Sequence, residues 1–224
     1  MSKLFQVKSY FQYYLRAKTI YNVHSPFAFE ILNEVMDDEK HYYAFDILEK
    51  ERAILEKDNT ILEVVDHGAG SHINNASTRS ISSIAHSALS KKEQCQQMFR
   101  LVQFMKPKRI LELGTSLGLS SAYLSMAYQD VQIDTIEGSK EIYKSANHLF
   151  KKLKLKNINS YHGTFEEKLP DLLQKNQYDL IFIDGHHLGN ALLQYFNLIS
   201  NAQNGSPTFI IDDIHWSSDM YQAW

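Results

Sequence analysis

The spacing of apolar residues changes near Pro107, and the two parts of the chain predict different elements. Ahead of Pro107, apolar side chains recur every three or four residues, which is the period of an amphipathic helix. Leu4, Val7 and Phe11 begin the first such pattern. Ser25–Pro26 has the form of an N-cap followed by a proline in the first turn of a second helix. The first part of the chain is therefore predicted to be helical.

Three more features belong to this helical part. A third helical pattern covers residues 44–57, and residues 66–71 (DHGAGS) are typical of a turn. The serine-rich stretch at residues 78–90 (TRSISSIAHSALS) predicts an ordered loop or linker. Residues 90–93 (SKKE) have the spacing of a capping box, which predicts a helix from there to Met105.

After Pro107, short apolar runs alternate with helical patterns of about 10–15 residues, as in strand–helix–strand units. The candidate strands are Arg109–Leu113, Gln132–Ile136, Asn157–Tyr161, Asp179–Ile183 and Thr208–Ile211. This alternation predicts an α/β, Rossmann-like parallel sheet with helices on both faces. Ligands of such sheets bind at the carboxyl ends of the strands.

Composition and charge narrow the class of protein. A chain of 224 residues allows one domain with an appendage or two small domains. Its net charge of −3 offers no basic field for general nucleic-acid binding. The sequence shows neither an apolar run of membrane-spanning length nor the apolar core of a signal peptide, and its single cysteine, Cys95, excludes an internal disulfide. We therefore expect a cytoplasmic protein without a membrane partner.

The first candidate strand ends in a glycine-containing turn, Glu112-Leu-Gly114-Thr-Ser116-Leu-Gly118. A dinucleotide-binding turn would have the spacing Gly-x-Gly-x-x-Gly, whereas these glycines are four residues apart. The acid two residues before the first glycine suits a cationic ligand better than a pyrophosphate. A tight turn that needs glycine for positive φ remains the alternative.

The ends of the next two strands carry further candidates. Glu137 lies about 20 residues after the glycine turn, a spacing that suits a carboxylate binding ribose hydroxyls. The third strand is followed by Gly163, Phe165 and Glu166, of which the last two could flank a planar base. An ordinary surface carboxylate remains the alternative for Glu137.

Together these residues resemble the class I S-adenosylmethionine-dependent methyltransferases, over about residues 94–224. The resemblance implies that S-adenosyl-L-methionine contacts Glu112, Gly114, Ser116, Gly118, Glu137, Gly163, Phe165, Glu166 and Asp184. Residues 90–224 would then form the cofactor-binding methyltransferase domain, and residues 1–89 a helical extension that acts as a lid or as the arm of a homodimer. Members of this class continue after the fifth strand with a helix and a β-hairpin, so the end at Trp224 predicts a C-terminally truncated or reduced fold.

The fourth and fifth strands end in carboxylates that would meet on one edge of the sheet. They are Asp184, Asp212 and Asp213, and converging carboxylates repel one another unless a cation such as Mg²⁺ or another divalent ion neutralises them. The pattern resembles the catechol and caffeoyl-coenzyme A type of O-methyltransferase, in which such residues bind a divalent cation. Capping or solvated loop carboxylates remain the alternative.

Two positions depart from that pattern. Asp213 stands where the family usually has Asn, and His187 stands where it commonly has Lys. With the metal ligand Asp184, His187 is the candidate catalytic residue, because an imidazole can remove a proton near neutral pH. His215 is a second candidate base or ligand, and helix capping is the alternative for the pair of histidines that follows Asp184.

These observations predict cation-dependent O-methylation of a small hydroxylated molecule. The alternatives are a metal-independent or RNA-directed methyltransferase, a nicotinamide-dependent oxidoreductase, and a non-catalytic module that binds the cofactor. Aromatic residues near the N-terminus could stack on RNA bases. Candidates for lining the acceptor site from the N-terminal side are Tyr42, Tyr43, His67, Arg79 and Ser80.

Overall fold

The computed structural model describes residues 3–17, 22–36, 40–65 and 76–224. The helices are α1 Lys3–Arg16, α2 Pro26–Glu34, α3 Tyr43–Leu55, α4 Ile81–Ala88, α5 Lys92–Met105, α6 Leu119–Ala127, α7 Lys140–Lys152, α8 Phe165–Lys175, α9 Gly189–Ala202 and α10 Ser218–Ala223. The strands are β1 Ile61–Val65, β2 Ala76–Ser80, β3 Arg109–Leu113, β4 Gln132–Glu137, β5 Ile158–His162, β6 Leu180–Ile183 and β7 Thr208–Ile211. The turn predicted at residues 66–71, which contains His67, lies outside the described residues.

Strands β3 to β7 form one parallel sheet in the order β5-β4-β3-β6-β7. Every predicted strand is present within one residue of its predicted bounds, which confirms the α/β Rossmann-like fold. The chain leaves β3 towards β4 on one side and returns to β6 on the other, so the strand order reverses between β3 and β6. Loops at such a reversal point separate and open a crevice at the carboxyl ends of the strands.

Alternate residues of the central strand face opposite layers of helices. Ile110 belongs to the cluster that α3, α5 and α6 complete, whereas Leu111 and Leu113 belong to the cluster under α8 and α9. The first cluster includes Phe45 of α3, whose ring lies 5.0 Å from that of Phe99 in α5. Helix α3 therefore shares a core with the sheet, and the predicted domain boundary between residues 89 and 90 stays a prediction.

A buried carboxylate ties the strands together near their amino ends. Asp134 of β4 is fully buried and accepts hydrogen bonds from Arg109 Nε at 2.7 Å, Asn159 Nδ2 at 3.0 Å, Tyr161 OH at 3.2 Å and Tyr178 OH at 3.0 Å. The donors come from β3, from β5 and from the residues just before β6. Because each donor satisfies part of a buried charge, the network offsets the cost of burying it.

The loop predicted at residues 78–90 is wrong. This stretch completes an antiparallel pair of β1 with β2 and then forms α4, whose Ile81, Ile84 and Ala85 are buried. Ser80 caps the helix by accepting a hydrogen bond from the Ser83 N–H at 3.1 Å. The serines of residues 80–87 lie at the cap of this helix or on its more exposed faces, and its apolar residues form a short stripe.

Two caps were predicted, with different outcomes. Ser25 is the N-cap of α2 as predicted, and its side chain accepts from the Ala28 N–H at 3.3 Å. Ser90 is not the cap of α5, because the helix begins two residues later and the Gln94 side chain accepts from the Lys91 N–H at 2.9 Å. The Ser90 hydroxyl instead donates to Asp184 Oδ2 at 3.3 Å, which places it in the crevice.

Strand β7 forms one edge of the sheet and is half-buried. The described residues contain no strand after β7, and the final element, α10, packs against α9. Across the described ranges, no helix combines the length and apolar character needed to cross a membrane.

Candidate functional site

A cavity of about 630 Å³ lies at the carboxyl ends of the parallel strands. Of the residues predicted to contact the cofactor, bind a metal or act in catalysis, those that line it are Gly114, Ser116, Glu137, Gly163, Phe165, Asp184, His187, Asp212 and Asp213. The side chains of Glu112 and Glu166, together with Gly118, lie outside the lining. The structure thus brings residues from all five strand ends to one cavity.

Close backbone packing explains the first glycine of the turn. Gly114 has a φ of 107°, and a Cβ atom added there would lie 2.1 Å from the carbonyl oxygen of Asp184. Only glycine therefore lets the end of β3 approach the end of β6. The same turn holds Ser116 at a φ of 48°, with its N–H donating to Glu137 Oε2 at 2.9 Å.

Glu112 faces the inside of the turn. It is fully buried and accepts hydrogen bonds from three hydroxyls: Ser120 at 2.6 Å, Thr135 at 2.7 Å and Ser121. Burial raises its pKa above the usual range, and the hydroxyls oppose that shift. Glu112 therefore joins β3 to α6 and β4 beneath the cavity, and its contact with a cofactor stays a prediction.

Glu137 lies at the cavity with both carboxylate oxygens in use. Oε2 accepts from the Ser116 N–H and Oε1 from the Ser139 N–H, each at 2.9 Å. Burial raises the pKa of Glu137 to about 7, against the effect of these backbone donors. Each oxygen retains a second lone pair for a ligand. Within the described residues, the buried hydroxyls of Ser116 and Ser139, which also line the cavity, have no hydrogen-bond partner.

Asp184 is surrounded by negative charge. Burial is the largest cause of its raised pKa, about 8, and repulsion from Asp212 and Asp213 adds to it, while the hydrogen bond from Ser90 lowers it. Asp212 Oδ1 also accepts from the Asp213 N–H at 2.7 Å. The three carboxylates share one rim of the cavity, as the sequence predicted. Among the described residues, however, no group of three or more His, Cys, Asp or Glu side chains is arranged to hold a metal ion.

His187 faces Asp213, and these are the two residues that depart from the O-methyltransferase pattern. His187 Nδ1 lies 3.6 Å from Asp213 Oδ2, the distance of an ion pair rather than of a hydrogen bond. The indole of Trp216 lies against the same imidazole, with 5.7 Å between ring centroids. His215 stacks on Tyr221 instead, and lines a second hollow beside α1. His187 is therefore the better-placed of the two histidines for chemistry in the cavity.

Glu166 contacts the cavity only through other residues. Its carboxylate accepts a hydrogen bond from the Tyr195 hydroxyl, which also contacts Nδ1 of His186. His186 lines the cavity beside Phe165. Sequence reasoning missed Tyr195, because nothing local marks one tyrosine of a helix as a partner of residues 9 and 29 positions earlier.

The segment ahead of α5 closes the cavity on its other side. Val64 of β1, Ile84 and Ser87 of α4, and Lys91 belong to this wall. Of the candidates for this side, Arg79 lines the cavity, and its guanidinium Nη2 donates to the Ser87 hydroxyl at 2.5 Å. The other candidates lie elsewhere: Tyr42 packs on Phe45 and Phe99, Tyr43 is 81% exposed, and Ser80 caps α4.

Comparison with known proteins identifies related sequences. Residues 111–214 match a family described as a methyltransferase domain. The ribosomal RNA small subunit methyltransferase G of Oenococcus oeni is 23% identical over 118 residues, or 53% of this chain and 48% of that protein. The enzyme of the same name from Clostridium botulinum is 22% identical over 86 residues, or 38% of this chain and 36% of that protein. The chain thus matches about half or less of the length of these relatives.

Solved structures share the fold at low sequence identity. The Podospora anserina methyltransferase PaMTH1, solved with S-adenosylhomocysteine (SAH), has a TM-score of 0.59 at 18% identity, covering 88% of this chain and 74% of that one. The O-methyltransferase of Bacillus cereus in complex with SAH has a TM-score of 0.57 at 16% identity, with coverages of 86% and 83%. The O-methyltransferase TomG of Streptomyces achromogenes, in complex with S-adenosylmethionine, has a TM-score of 0.56 at 16% identity, with coverages of 82% and 75%.

Proposed function

We propose that the protein is a methyltransferase that transfers the methyl group of S-adenosylmethionine to a hydroxyl of a small molecule. The match of residues 111–214 to a methyltransferase domain and the fold shared with solved methyltransferases support the proposal. The observation that carries the proposal is the cavity at the strand ends, in which Glu137, the glycine turn and His187 face one space. The O-methyltransferases among the structural neighbours support the choice of a hydroxyl acceptor.

The polar atoms of the cavity fit a nucleoside with an amino acid tail. Glu137 has lone pairs left for ribose hydroxyls, and the hydroxyls of Ser116 and Ser139 are buried with no partner in the described part of the chain. The aromatic ring of Phe165 provides a surface for a base. When bound, S-adenosylmethionine supplies an electrophilic methyl group on a sulfonium.

His187 is the residue that would accept the proton of the acceptor hydroxyl. Its Nδ1 faces Asp213, so the carboxylate can stabilise the imidazolium that forms when Nε2 takes up a proton. Trp216 forms a planar wall against the same imidazole, which suits an aromatic or otherwise flat acceptor. Positioning and exclusion of water matter most here, because the opposite charges of the reactants merge as the methyl group moves.

The predicted divalent cation would need ligands from Asp184, Asp212 and Asp213. The carboxylates share a rim, but the described side chains form no set of three ligands, and Asp213 is turned towards His187. In this arrangement the described residues do not fit a metal ion. Comparing rates with added Mg²⁺ and with a chelator tests cation dependence directly.

A second candidate is methylation of ribosomal RNA, favoured by the names of the two sequence relatives. Helix α1 exposes several aromatic side chains on which bases could stack: Tyr10, Phe11, Tyr13 and Tyr14. The net charge of −3 argues against it, because phosphate binding needs basic residues.

The experiment supplies S-adenosylmethionine together with phenolic and catecholic acceptors, or with small-subunit ribosomal RNA, and measures SAH formed. The proposal predicts turnover with a hydroxylated small molecule, reduced by about 10²–10⁴-fold in His187→Ala. His215→Ala is the matched control and should retain activity, because that imidazole does not line the cavity. Turnover with RNA alone would favour the second candidate, and cofactor binding without any transfer would favour a non-catalytic module.

A further inference from the structure

Three side chains from separate elements form a hydrogen-bonded chain that ends at the cavity. The Tyr195 hydroxyl of α9 donates to Glu166 Oε1 at the start of α8 and contacts Nδ1 of His186. The rings of His186 and Tyr195 stack with an interplanar angle of 5°. Phe165 meets both rings edge-on, at centroid distances of 5.8 and 5.5 Å. The imidazole is therefore held on one face and one edge.

The protons of this chain can be assigned from its chemistry. Burial and the neighbouring Glu166 raise the pKa of Tyr195, so the phenol keeps its single proton. Burial raises the pKa of Glu166, but the Tyr195 hydroxyl and other donors outweigh it and lower the pKa overall, so this carboxylate is ionised at neutral pH and can only accept. The phenol proton therefore goes to Glu166, and the phenol oxygen accepts from Nδ1–H of His186. In a neutral imidazole this leaves a lone pair on Nε2.

The His186 side chain that carries this nitrogen lines the same cavity as Glu137. Gly163, Phe165 and His186 line it together, and a Cβ atom added at Gly185 would lie 3.0 Å from the Phe165 ring. With the ribose on Glu137 and the amino acid tail at the Gly114 turn, the base of the cofactor would extend towards this corner. Sequence resemblance gave the role of acceptor beside the base to Glu166, but the Glu166 side chain points to Tyr195 instead.

We propose that His186 accepts a hydrogen bond through Nε2 from the exocyclic amino group of the cofactor's adenine, and that Tyr195 and Glu166 hold it in the tautomer that can do so. The inference rests on the proposed cofactor site. It makes His186 a residue that selects adenine over a 6-oxopurine, because an oxo group would place a second acceptor against the Nε2 lone pair. Tyr195 and Glu166 act as positioning residues.

The test compares SAH with its inosine analogue, S-inosylhomocysteine, by calorimetry at about pH 8, where an ordinary histidine is neutral. The wild type should bind the analogue about tenfold more weakly, as expected for one lost hydrogen bond. Tyr195→Phe keeps the ring but frees Nδ1, and should reduce this preference to about twofold or less. Glu166→Ala should also reduce the preference for SAH, although Glu166 does not line the cavity. Without Glu166, the Tyr195 hydroxyl can donate its proton to Nδ1 of His186, and the imidazole proton then lies on Nε2.

Tyr143→Phe is the matched control, since that hydroxyl makes a long contact, 3.5 Å, to the Ser160 carbonyl and does not line the cavity. It should keep the full preference for SAH. An unchanged preference in both Tyr195→Phe and Glu166→Ala would overturn the inference, as would a wild type that binds both ligands equally. A protein that binds neither ligand would instead contradict the proposed function.

Discussion

At the scale of single residues, the site depends on carboxylates that the fold has partly dehydrated. Glu112, Glu137 and Asp184 all have raised pKa values, with burial as the first cause in each. Their surroundings differ: three hydroxyls satisfy Glu112, two backbone N–H groups hold Glu137, and other acids approach Asp184. The same type of side chain is thereby suited to supporting a turn, binding a ligand or facing an acceptor.

Glu137 should make cofactor binding depend on pH. With a pKa of about 7, it loses its charge as the pH falls, and a protonated carboxyl offers one acceptor fewer to the ribose. We expect the Kd for SAH to be about tenfold higher at pH 6 than on its plateau near pH 8. Calorimetric titrations across this range test the expectation, and Glu137→Gln should flatten the profile. A flat profile in the wild type would contradict it.

The same raised pKa of Glu137 has the opposite effect on the stability of the protein without cofactor, which is expected to fall as the pH rises. Because the folded protein keeps the Glu137 proton at a pH where the unfolded chain has lost it, the stabilisation is present below about pH 4.5 and is lost as the pH rises to about 7. Asp184 acts in the same direction up to a pH of about 8. Urea unfolding of the protein without ligand should therefore show a free energy of unfolding that falls over this range. Glu137→Gln should weaken the slope.

Gly114 allows a direct test of the turn. Alanine there would need a φ of 107° and would place its Cβ 2.1 Å from the Asp184 carbonyl oxygen. We expect Gly114→Ala to lower the free energy of unfolding by at least about 2 kcal/mol. Gly205→Ala is the matched control, because nothing lies within 4 Å of its added Cβ, and it should change stability by less than about 0.5 kcal/mol. Equal effects of the two changes would contradict this account of the turn.

At the scale of elements, the sequence predicted the strands that depend on local sequence pattern and missed the features that depend on distant partners. The five parallel strands are short apolar runs bounded by helices, and each lies within one residue of its predicted bounds. Strand β2 (ASTRS) escaped prediction because its residues are polar and its pairing with β1 joins residues up to 19 positions apart. Ser90 was predicted to cap a helix because its actual partner, Asp184, is 94 positions away and local sequence does not reveal it. The chain from Glu166 through Tyr195 to His186 likewise exists only after folding.

The network around Asp134 gives a prediction about how the strands are joined. Asp134→Ala removes the acceptor shared by the side chains of Arg109, Asn159, Tyr161 and Tyr178, and leaves buried donors without a partner. We expect a loss of about 3–5 kcal/mol in the free energy of unfolding. Asp130→Ala, at an exposed acid, should stay within about 0.5 kcal/mol. Similar losses for both variants would mean that the network does not stabilise the sheet.

At the scale of the whole molecule, the elements ahead of β3 complete the site. Strand β1, which pairs with β2, lies against α7, and Val64, Ile84 and Ile142 belong to one apolar cluster with Leu117 of the glycine turn. Residues predicted to form a separate extension thus supply one wall of the cavity. The role of α1, whose aromatic side chains are exposed, remains the predicted lid or dimer arm.

The most direct test of the central claim is the binding of SAH measured by calorimetry, with Glu137→Ala and the matched control Glu141→Ala. Glu141 lies four residues after Glu137 in the first turn of α7, pairs with Lys144 and does not line the cavity. We predict one site per chain in the wild type and in Glu141→Ala, and a Kd at least about tenfold higher in Glu137→Ala. A folded wild type that binds no SAH, or a Glu137→Ala variant that binds as tightly as the wild type, would contradict the account.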